Sequence, residues 1–131
     1  MIDVSCAIII QNHKILCVQR GTGRHLAGKW EFPGGKVRPG ESMEASVVRE
    51  VREELDLDVE VQKKLSAVTH SYPDKTVRLL PFICRITGGT LHLHEHQSYQ
   101  WLGPEELDGL DWCEADQPIL RELRNSHRSK I

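Results

Sequence analysis

The sequence is poor in the features that mark several special classes of protein. Its 131 residues carry 17 basic and 19 acidic side chains, a formal net charge of −2, so it lacks the basic excess of a protein that coats nucleic acid. No apolar run approaches the length of about 20 residues that a membrane-spanning helix needs. The N-terminal MIDVSC also does not resemble a signal peptide. We therefore expect neither a nucleic-acid polymer nor a membrane as a partner.

Cysteine is scarce as well, and its four copies are dispersed without a CxxC pair. They are Cys6, Cys17, Cys84 and Cys113. Two of them lie in predicted strands among Val and Ile, which indicates small buried apolar side chains in a reducing compartment. We therefore expect a cytoplasmic protein. Because no internal repeat, linker or low-complexity stretch is present, we expect one domain over residues 1–131.

Hydrophobic periodicity and turn residues predict a strand-rich domain with two helices. Val47, Val48, Val51 and Leu55 recur at helical spacing, which predicts a helix over Ser42–Leu55, and a second helix is predicted over Ala115–Leu123. The predicted strands are Val4–Ile10, Lys14–Arg20, Trp30–Phe32, Asp58–His70, Thr76–Ile86 and Ser98–Leu102, with turns at Gln11–His13, Pro73–Asp74 and Gly88–Gly89 and a helical turn at Pro104–Leu107. This pattern implies an α/β or α+β layered domain.

Three glutamates share one arc of the first predicted helix: Glu50, Glu53 and Glu54. The glycine-rich turn Gly34-Gly35 precedes them. Like charges this close repel one another unless a cation lies among them. Mg²⁺ is the natural candidate, since it takes oxygen ligands and is usually shared between protein carboxylates and substrate phosphates. The arrangement therefore indicates phosphate chemistry.

The segment GGKVRPGESMEASVVREVREELDL resembles the Nudix box, in which fixed distances separate a glycine, a glutamate and an Arg-Glu-apolar-x-Glu-Glu-x-Gly-apolar run. The matching residues are Gly35, Glu41, Arg49, Glu50, Val51, Glu53, Glu54 and Leu57. Asp56 stands where the family has glycine. Aspartate tolerates a positive φ better than most residues, so we expect the helix end to persist without loss of metal ligands.

The resemblance implies a fold and a set of roles. The fold would be a Nudix-type α/β/α sandwich, with a mixed β-sheet and a loop-helix-loop catalytic motif. The metal ligands would be Glu50, Glu53, Glu54 and the Gly35 carbonyl. Glu50 would also take the proton of the attacking water, with Arg49 orienting it and Glu53 completing the catalytic set. Gly34 and Glu41 would be structural, the latter by pairing with Arg49.

Outside the box the chain resembles the MutT group, whose members hydrolyse nucleoside triphosphates to monophosphate and pyrophosphate. Arg20, HLAGKWEFPGGK, the YPDK turn, HEHQSYQWL and ADQPIL match in order and spacing. On this alignment Glu95 would be a further metal ligand. Four residues would contact the substrate: Arg20 near the phosphates, Phe32 beside the base, Lys75 where the family often has arginine, and Asp116 at the base edge.

Asp116 departs from the asparagine that the sanitising members of the group place there. An ionised carboxylate only accepts hydrogen bonds, whereas an amide also donates. We therefore expect Asp116 to prefer bases that offer donors, such as guanine or cytosine. Aspartate is also a good helix N-cap, and both roles stay open.

Other interpretations of these residues stay open too. The acidic helix alone could be a solvated helix with surface salt bridges, although that leaves Gly35 and Glu41 unexplained. His92, His94 and His96 would share a face on a strand, a spacing that permits a zinc site. With no cysteine nearby, we favour solvent-exposed or phosphate-side histidines.

Taken together, the sequence predicts a MutT-like Nudix hydrolase that cleaves (d)NTPs to (d)NMP and pyrophosphate, removing oxidised or surplus nucleotides such as 8-oxo-dGTP or (d)CTP. Its cofactor would be Mg²⁺, with Mn²⁺ as the alternative, and its partner a small nucleotide. The sequence leaves monomer and homodimer open. The rival functions are hydrolysis of another nucleoside diphosphate-X compound and nucleotide sensing without turnover.

Overall fold

The chain folds around one mixed β-sheet, as seen in a computed structural model that describes residues 1–129 and the side chains of residues 1–125. The strands are β1 (Ile2–Gln11), β2 (Lys14–Arg20), β3 (Trp30–Glu31), β4 (Gly34–Lys36), β5 (Leu57–Lys64), β6 (Val68–Tyr72), β7 (Lys75–Gly89) and β8 (His96–Leu102). The helices are α1 (Met43–Leu55) and α2 (Gln117–Ser129), with 3₁₀ turns at Pro104–Gly109 and Glu114–Asp116.

Strand β1 organises the sheet because both of its edges are used. Strand β7 runs parallel to it along one edge. The other edge pairs antiparallel first with β4, where Ser5 faces Gly35, and then with β2, where Ile10 faces Ile15. Strands β5 and β6 pair with β7, and β3 and β8 pair with β2. The sheet therefore opens between β4 and β2, and the candidate site lies beside this opening.

Side chains alternate across β1 and divide the core into two layers. Ala7 and Ile9 pack on the side of α1 with Val47, Val51 and Leu55, which are fully buried. On the other side of the sheet, two β1 residues pack with the first part of α2: Cys6 and Ile8 against Ile119, Leu120 and Leu123. Each fully buried aliphatic side chain contributes about 1.5–3 kcal/mol. The predicted α/β/α sandwich is confirmed.

Helix α1 begins and ends at the residues that its sequence indicates. The Ser42 hydroxyl accepts a hydrogen bond from the Ala45 amide and caps the first turn. Asp56 caps the other end in the left-handed conformation, with φ of 59°, so it takes the conformation expected of the family's glycine. Asn12 and His13 also have positive φ in the turn between β1 and β2.

Three predictions about the other elements need correction. The single strand predicted over Asp58–His70 is two strands, β5 and β6, because Leu65 turns inward, is buried and pairs its amide with the Pro81 carbonyl. Gly88-Gly89 is the end of β7 rather than a separate turn. His92 and His94 precede β8 instead of sharing a strand with His96. Neither helix of the described chain is long and apolar enough to cross a membrane.

Candidate active site

Strand β4 and helix α1 bring a glycine and a glutamate together. A β-carbon built on Gly35 would lie within 2.6 Å of all three carboxylate atoms of Glu50, so any other residue here would displace this carboxylate. At Gly34, the same addition would overlap the Ser5 carbonyl oxygen. The two glycines therefore let α1 approach the edge of the sheet and place Glu50 against the backbone.

Arg49 links the loop before α1 to the acidic face of the helix. Its guanidinium donates to both carboxylate oxygens of Glu41 at 2.7 and 3.0 Å, to Glu50 at 2.7 Å and to the Lys36 carbonyl at 3.1 Å. The hydrogen bond from Arg49 is the main cause that lowers the pKa of Glu41 to about 2. The structure thus contains the expected Glu41–Arg49 pair and also fixes one oxygen of Glu50.

Glu54 is the buried carboxylate of the site. Only 3% of the residue is exposed, and its Oε1 atom has no hydrogen-bond partner among the described residues. Burial raises the pKa of Glu54, and the neighbouring carboxylates of Glu50 and Glu95 raise it further. A buried carboxylate in this environment has a strong electrostatic preference for a nearby cation.

The segment between β7 and β8 brings Glu95 to the same place. The amides of His92 and His94 donate to the carbonyls of Leu55 and Glu54, which fixes the segment to the end of α1. Glu95 then lies with Glu50 and Glu54 around a cavity of about 480 Å³, here called the acidic cavity. Its wall also includes Arg20, Glu31, Gly35 and Lys36.

A second pocket, of about 210 Å³, adjoins the acidic cavity and is here called the apolar pocket. It contains all four residues predicted to contact a substrate: Arg20, Phe32, Lys75 and Asp116. The two spaces share five wall residues: Arg20, Glu31, Gly34, Gly35 and Lys36. A ligand with an apolar ring at one end and anionic groups at the other would fit across both.

Asp116 lies at the wall of the apolar pocket and is 5% exposed. Burial raises its pKa well above the usual range, so the ionised form assumed in the sequence argument is disfavoured in the free protein. A protonated carboxyl both donates and accepts hydrogen bonds. Among the described residues its side chain makes no hydrogen bond, so the alternative role as a helix N-cap is not supported.

Glu31 is a site residue that the sequence analysis missed. One of its oxygens accepts a hydrogen bond from Arg20 at 2.9 Å, and the other lies 2.9 Å from Nε2 of His96. Arg20 also donates from Nε to the His25 carbonyl at 2.7 Å, so it fixes the loop that follows β2. Glu31 and His96 lie 65 positions apart, and nothing local in the sequence predicts that they meet.

Some expected neighbours are not brought together. Glu53 lines neither cavity; its carboxylate is half-exposed and lies against Arg49 and Arg38 at 3.2 and 3.7 Å. The histidines separate, since His94 pairs with Asp56 outside the cavity while His96 is buried inside it. Of the two expected positions, solvent-exposed or phosphate-side, burial excludes the first for His96, whereas its place in the wall of the acidic cavity is compatible with the second. Among the described residues these histidines form no cluster that could hold zinc.

The residues present suit a hard divalent cation. In the part of the chain that the structure describes, no three His, Cys, Asp or Glu side chains converge closely enough to hold a metal ion as they stand. Their chemistry nevertheless fits, because Glu54 presents a buried carboxylate oxygen without a partner among the described residues, and Gly35 and Glu50 lie together in the wall of the same cavity. Uptake of an ion would therefore require movements of these side chains, while the Glu50 oxygen that Arg49 does not contact could take part as Glu50 stands.

Comparison with known proteins gives consistent results. Residues 1–123 match the family described as NUDIX domain. The chain is 39% identical over 120 residues to the CTP pyrophosphohydrolase of Escherichia coli (strain K12), covering 92% of this chain and 89% of that protein. It is 29% identical over 114 residues to the 8-oxo-dGTP diphosphatase of the same strain, covering 87% and 88%.

Solved structures agree with these sequence matches. The solution structure of the E. coli ORF135 protein superimposes with a TM-score of 0.84 at 37% identity, covering 99% of this chain and 92% of the other. The crystal structure of a MutT protein from Methanosarcina mazei Go1 gives 0.85 at 27% identity, covering 96% and 94%.

Proposed function

Because the chain belongs to the NUDIX family, we propose that it is a MutT-type hydrolase that cleaves nucleoside triphosphates to monophosphate and pyrophosphate. The observation that carries this proposal is the continuity of the acidic cavity with the apolar pocket. A triphosphate would lie in the first and the base in the second. The names of the relatives, one acting on CTP and another on 8-oxo-dGTP, support a nucleotide substrate of this size.

The residues that would hold Mg²⁺ or Mn²⁺ are Glu50, Glu53, Glu54 and Glu95, together with the Gly35 carbonyl. When bound, the ion neutralises phosphate oxygens and lowers the pKa of a coordinated water. The chain's own contribution is to bring these oxygens together from elements already in contact: the carboxylates lie on α1 and on the segment bonded to its end, and Gly35 lies on β4 beneath Glu50.

Glu50 is our candidate for the general base. It would take the proton as a water oxygen bonds to phosphorus and the phosphorus–oxygen bond to the leaving group breaks. Arg49 contacts the Glu50 carboxylate at 2.7 Å and fixes its direction. Glu41, held by Arg49 and by the Arg38 amide at 3.0 Å, keeps the guanidinium in place.

Substrate recognition would divide between the two ends of the cleft. Arg20 uses NH1 and Nε for Glu31 and the His25 carbonyl, and among the described residues its NH2 group has no partner, so that group would donate to a phosphate. Lys75 at the wall of the apolar pocket would add positive charge. Asp116 would contact the base edge, and Phe32 would bound the pocket where it packs on Trp112.

We further propose that residues 1–131 form one domain and that the protein acts in the cytoplasm on oxidised or surplus nucleotides. All four cysteines are free and buried, which suits a reducing compartment. Monomer and homodimer are both compatible with a cleft built from one chain.

A nucleotide panel tests the proposal. Common and oxidised (d)NTPs and a nucleoside diphosphate sugar are incubated with Mg²⁺ in ¹⁸O-labelled water, and products are identified by chromatography and mass spectrometry. We expect a monophosphate and pyrophosphate, with ¹⁸O in one of them identifying the phosphorus attacked. Preferential cleavage of the sugar nucleotide would favour the diphosphate-X alternative, and binding without any cleavage would favour the sensor.

A further inference from the structure

His96 lies in the wall of the acidic cavity beside Arg20 and Glu31, two residues that line both parts of the cleft. It begins β8 opposite Arg20, where the pairing of β2 and β8 shifts register. Only 5% of its side chain is exposed, and Nε2 lies 2.9 Å from Oε2 of Glu31. The other oxygen of Glu31 accepts from Arg20. The imidazole is therefore anchored on one side by a carboxylate that is itself fixed.

The opposite side of the ring faces the buried carboxylate of Glu54. Nδ1 of His96 lies 3.9 Å from Oε1 of Glu54. These are the two buried side-chain atoms without a hydrogen-bond partner in the described part of the chain. Buried polar atoms are rarely unpaired, and a small movement of either side chain would let a proton on one of these atoms bridge to the other. Two unpaired atoms that face one another indicate a contact that forms when the Glu54 side chain moves.

We propose that His96 is a positioning residue that orients Glu54 for a divalent cation, with Glu31 as its anchor. The inference rests on the proposed function, because it takes Glu54 to be a metal ligand. Polar groups behind the ligands of a metal site fix the direction of the ligand atoms, and their loss typically weakens metal binding 10- to 100-fold. Since Glu31 also holds Arg20, the same anchor ties the orientation of Glu54 to the wall of the apolar pocket.

The test compares two substitutions of His96, each of which retains a polar group at the position of only one of the two ring nitrogens. His96→Gln places an amide near the position of Nε2, which keeps the bond to Glu31 and removes the group that faces Glu54. His96→Asn places an amide near Nδ1 and removes the anchor. His92→Gln is the matched control, since that side chain is 71% exposed and lies outside the acidic cavity.

Mn²⁺ binding without nucleotide is measured by calorimetry, and folding is measured by circular dichroism and thermal unfolding. We expect both His96 variants to bind Mn²⁺ about 10-fold more weakly while His92→Gln binds normally. A folded His96 variant that binds within twofold of the unaltered chain would overturn the inference, even if its melting temperature is lower. An unaltered chain that takes up no Mn²⁺, either alone or with a nonhydrolysable triphosphate analogue present, would overturn the proposed function as well.

A measurement on the unaltered chain does not depend on how the variants fold. When Mg²⁺ is titrated in, the imidazole NMR signals of His96 should shift and saturate together with the binding curve. The signals of His13, in the turn between β1 and β2, serve as the control. Signals of His96 that do not move while Mg²⁺ binds would show that the ring has no part in orienting Glu54.

Discussion

The carboxylate of Glu50 lies directly over the backbone of Gly35, and no β-carbon fits between them. We therefore expect Gly35→Ala to push the Glu50 side chain aside. A displacement of about 1 Å at a reacting group can cost 100-fold in rate, so we expect kcat/KM to fall by about that factor. Steady-state kinetics with the preferred triphosphate measures the effect.

Gly109→Ala is the control for this substitution. Among the described residues nothing lies within 4 Å of a β-carbon added at Gly109, and its φ is not positive. The control should retain full activity. If Gly35→Ala also retained it, the close approach of Glu50 to the strand would have no role in the reaction.

Glu50→Gln should reduce kcat at least 100-fold with little change in the melting temperature, because it removes a ligand charge and the general base together. Glu44→Gln is the matched control, since Glu44 lies on the first turn of the same helix and is exposed. Near-normal turnover by Glu50→Gln would remove this residue from the mechanism.

Asp116→Asn should alter both the ranking of bases and the stability. In the unfolded chain, Asp116 loses its proton near its ordinary pKa of 3.8. In the folded protein, burial raises that pKa. The folded state is therefore penalised increasingly as the pH rises above 3.8. We expect Asp116→Asn to be more stable than the unaltered chain at pH 7, and this advantage to shrink towards pH 4, in urea unfolding at several pH values.

The same variant tests base recognition. The order of kcat/KM across a (d)NTP panel should change more than the dependence on Mg²⁺, because Asp116 lies in the apolar pocket and does not line the acidic cavity. An unchanged order would mean that Asp116 does not read the base.

Glu41→Gln should change the acid stability in the opposite sense. The Arg49 pair lowers the pKa of Glu41 from 4.5 to about 2, so the ionised carboxylate stabilises the folded state above pH 4.5 and this contribution is lost between pH 4.5 and 2. We expect Glu41→Gln to be less stable at pH 7, with the difference disappearing near pH 2. A difference that is constant across this range would show that the charge of Glu41 is not responsible.

A buried hydrogen bond between the hydroxyls of Ser5 and Ser46, 2.9 Å apart, ties α1 to β1 one turn before Glu50. Replacing either serine by alanine leaves the other hydroxyl buried and unpaired, which costs about 1–3 kcal/mol. The double variant removes both groups. We expect it to lose less stability than the sum of the single variants in a double-mutant cycle, whereas strict additivity would mean that the two hydroxyls do not interact.

The sequence predicts α1 well because its signals are local. Ser42 is a strong cap, valines follow at helical spacing, and Asp56 tolerates the left-handed conformation. By contrast, the break between β5 and β6 contains neither glycine nor proline. Leu65 turns inward there because the core beside α2 has room for it, which is a tertiary effect that no local pattern expresses.

The residues of the site likewise divide into those that the sequence predicts and those that only the folded chain brings together. The acidic face of α1 follows from helical periodicity, and the family resemblance supplies Glu95 and Asp116. The network of Arg20, Glu31 and His96 has no sequence signal, since its members come from three strands and meet only in the folded chain. The raised pKa of Asp116 is likewise a result of burial, which depends on the folded chain and has no local signal in the sequence.

The most direct test of the account is calorimetric titration of Mg²⁺ into the unaltered protein with a nonhydrolysable triphosphate analogue present. If the clustered carboxylates share dications with the polyphosphate, a saturable heat of ion uptake will appear, and Glu54→Gln will weaken it. No detectable uptake at saturating analogue would contradict the account.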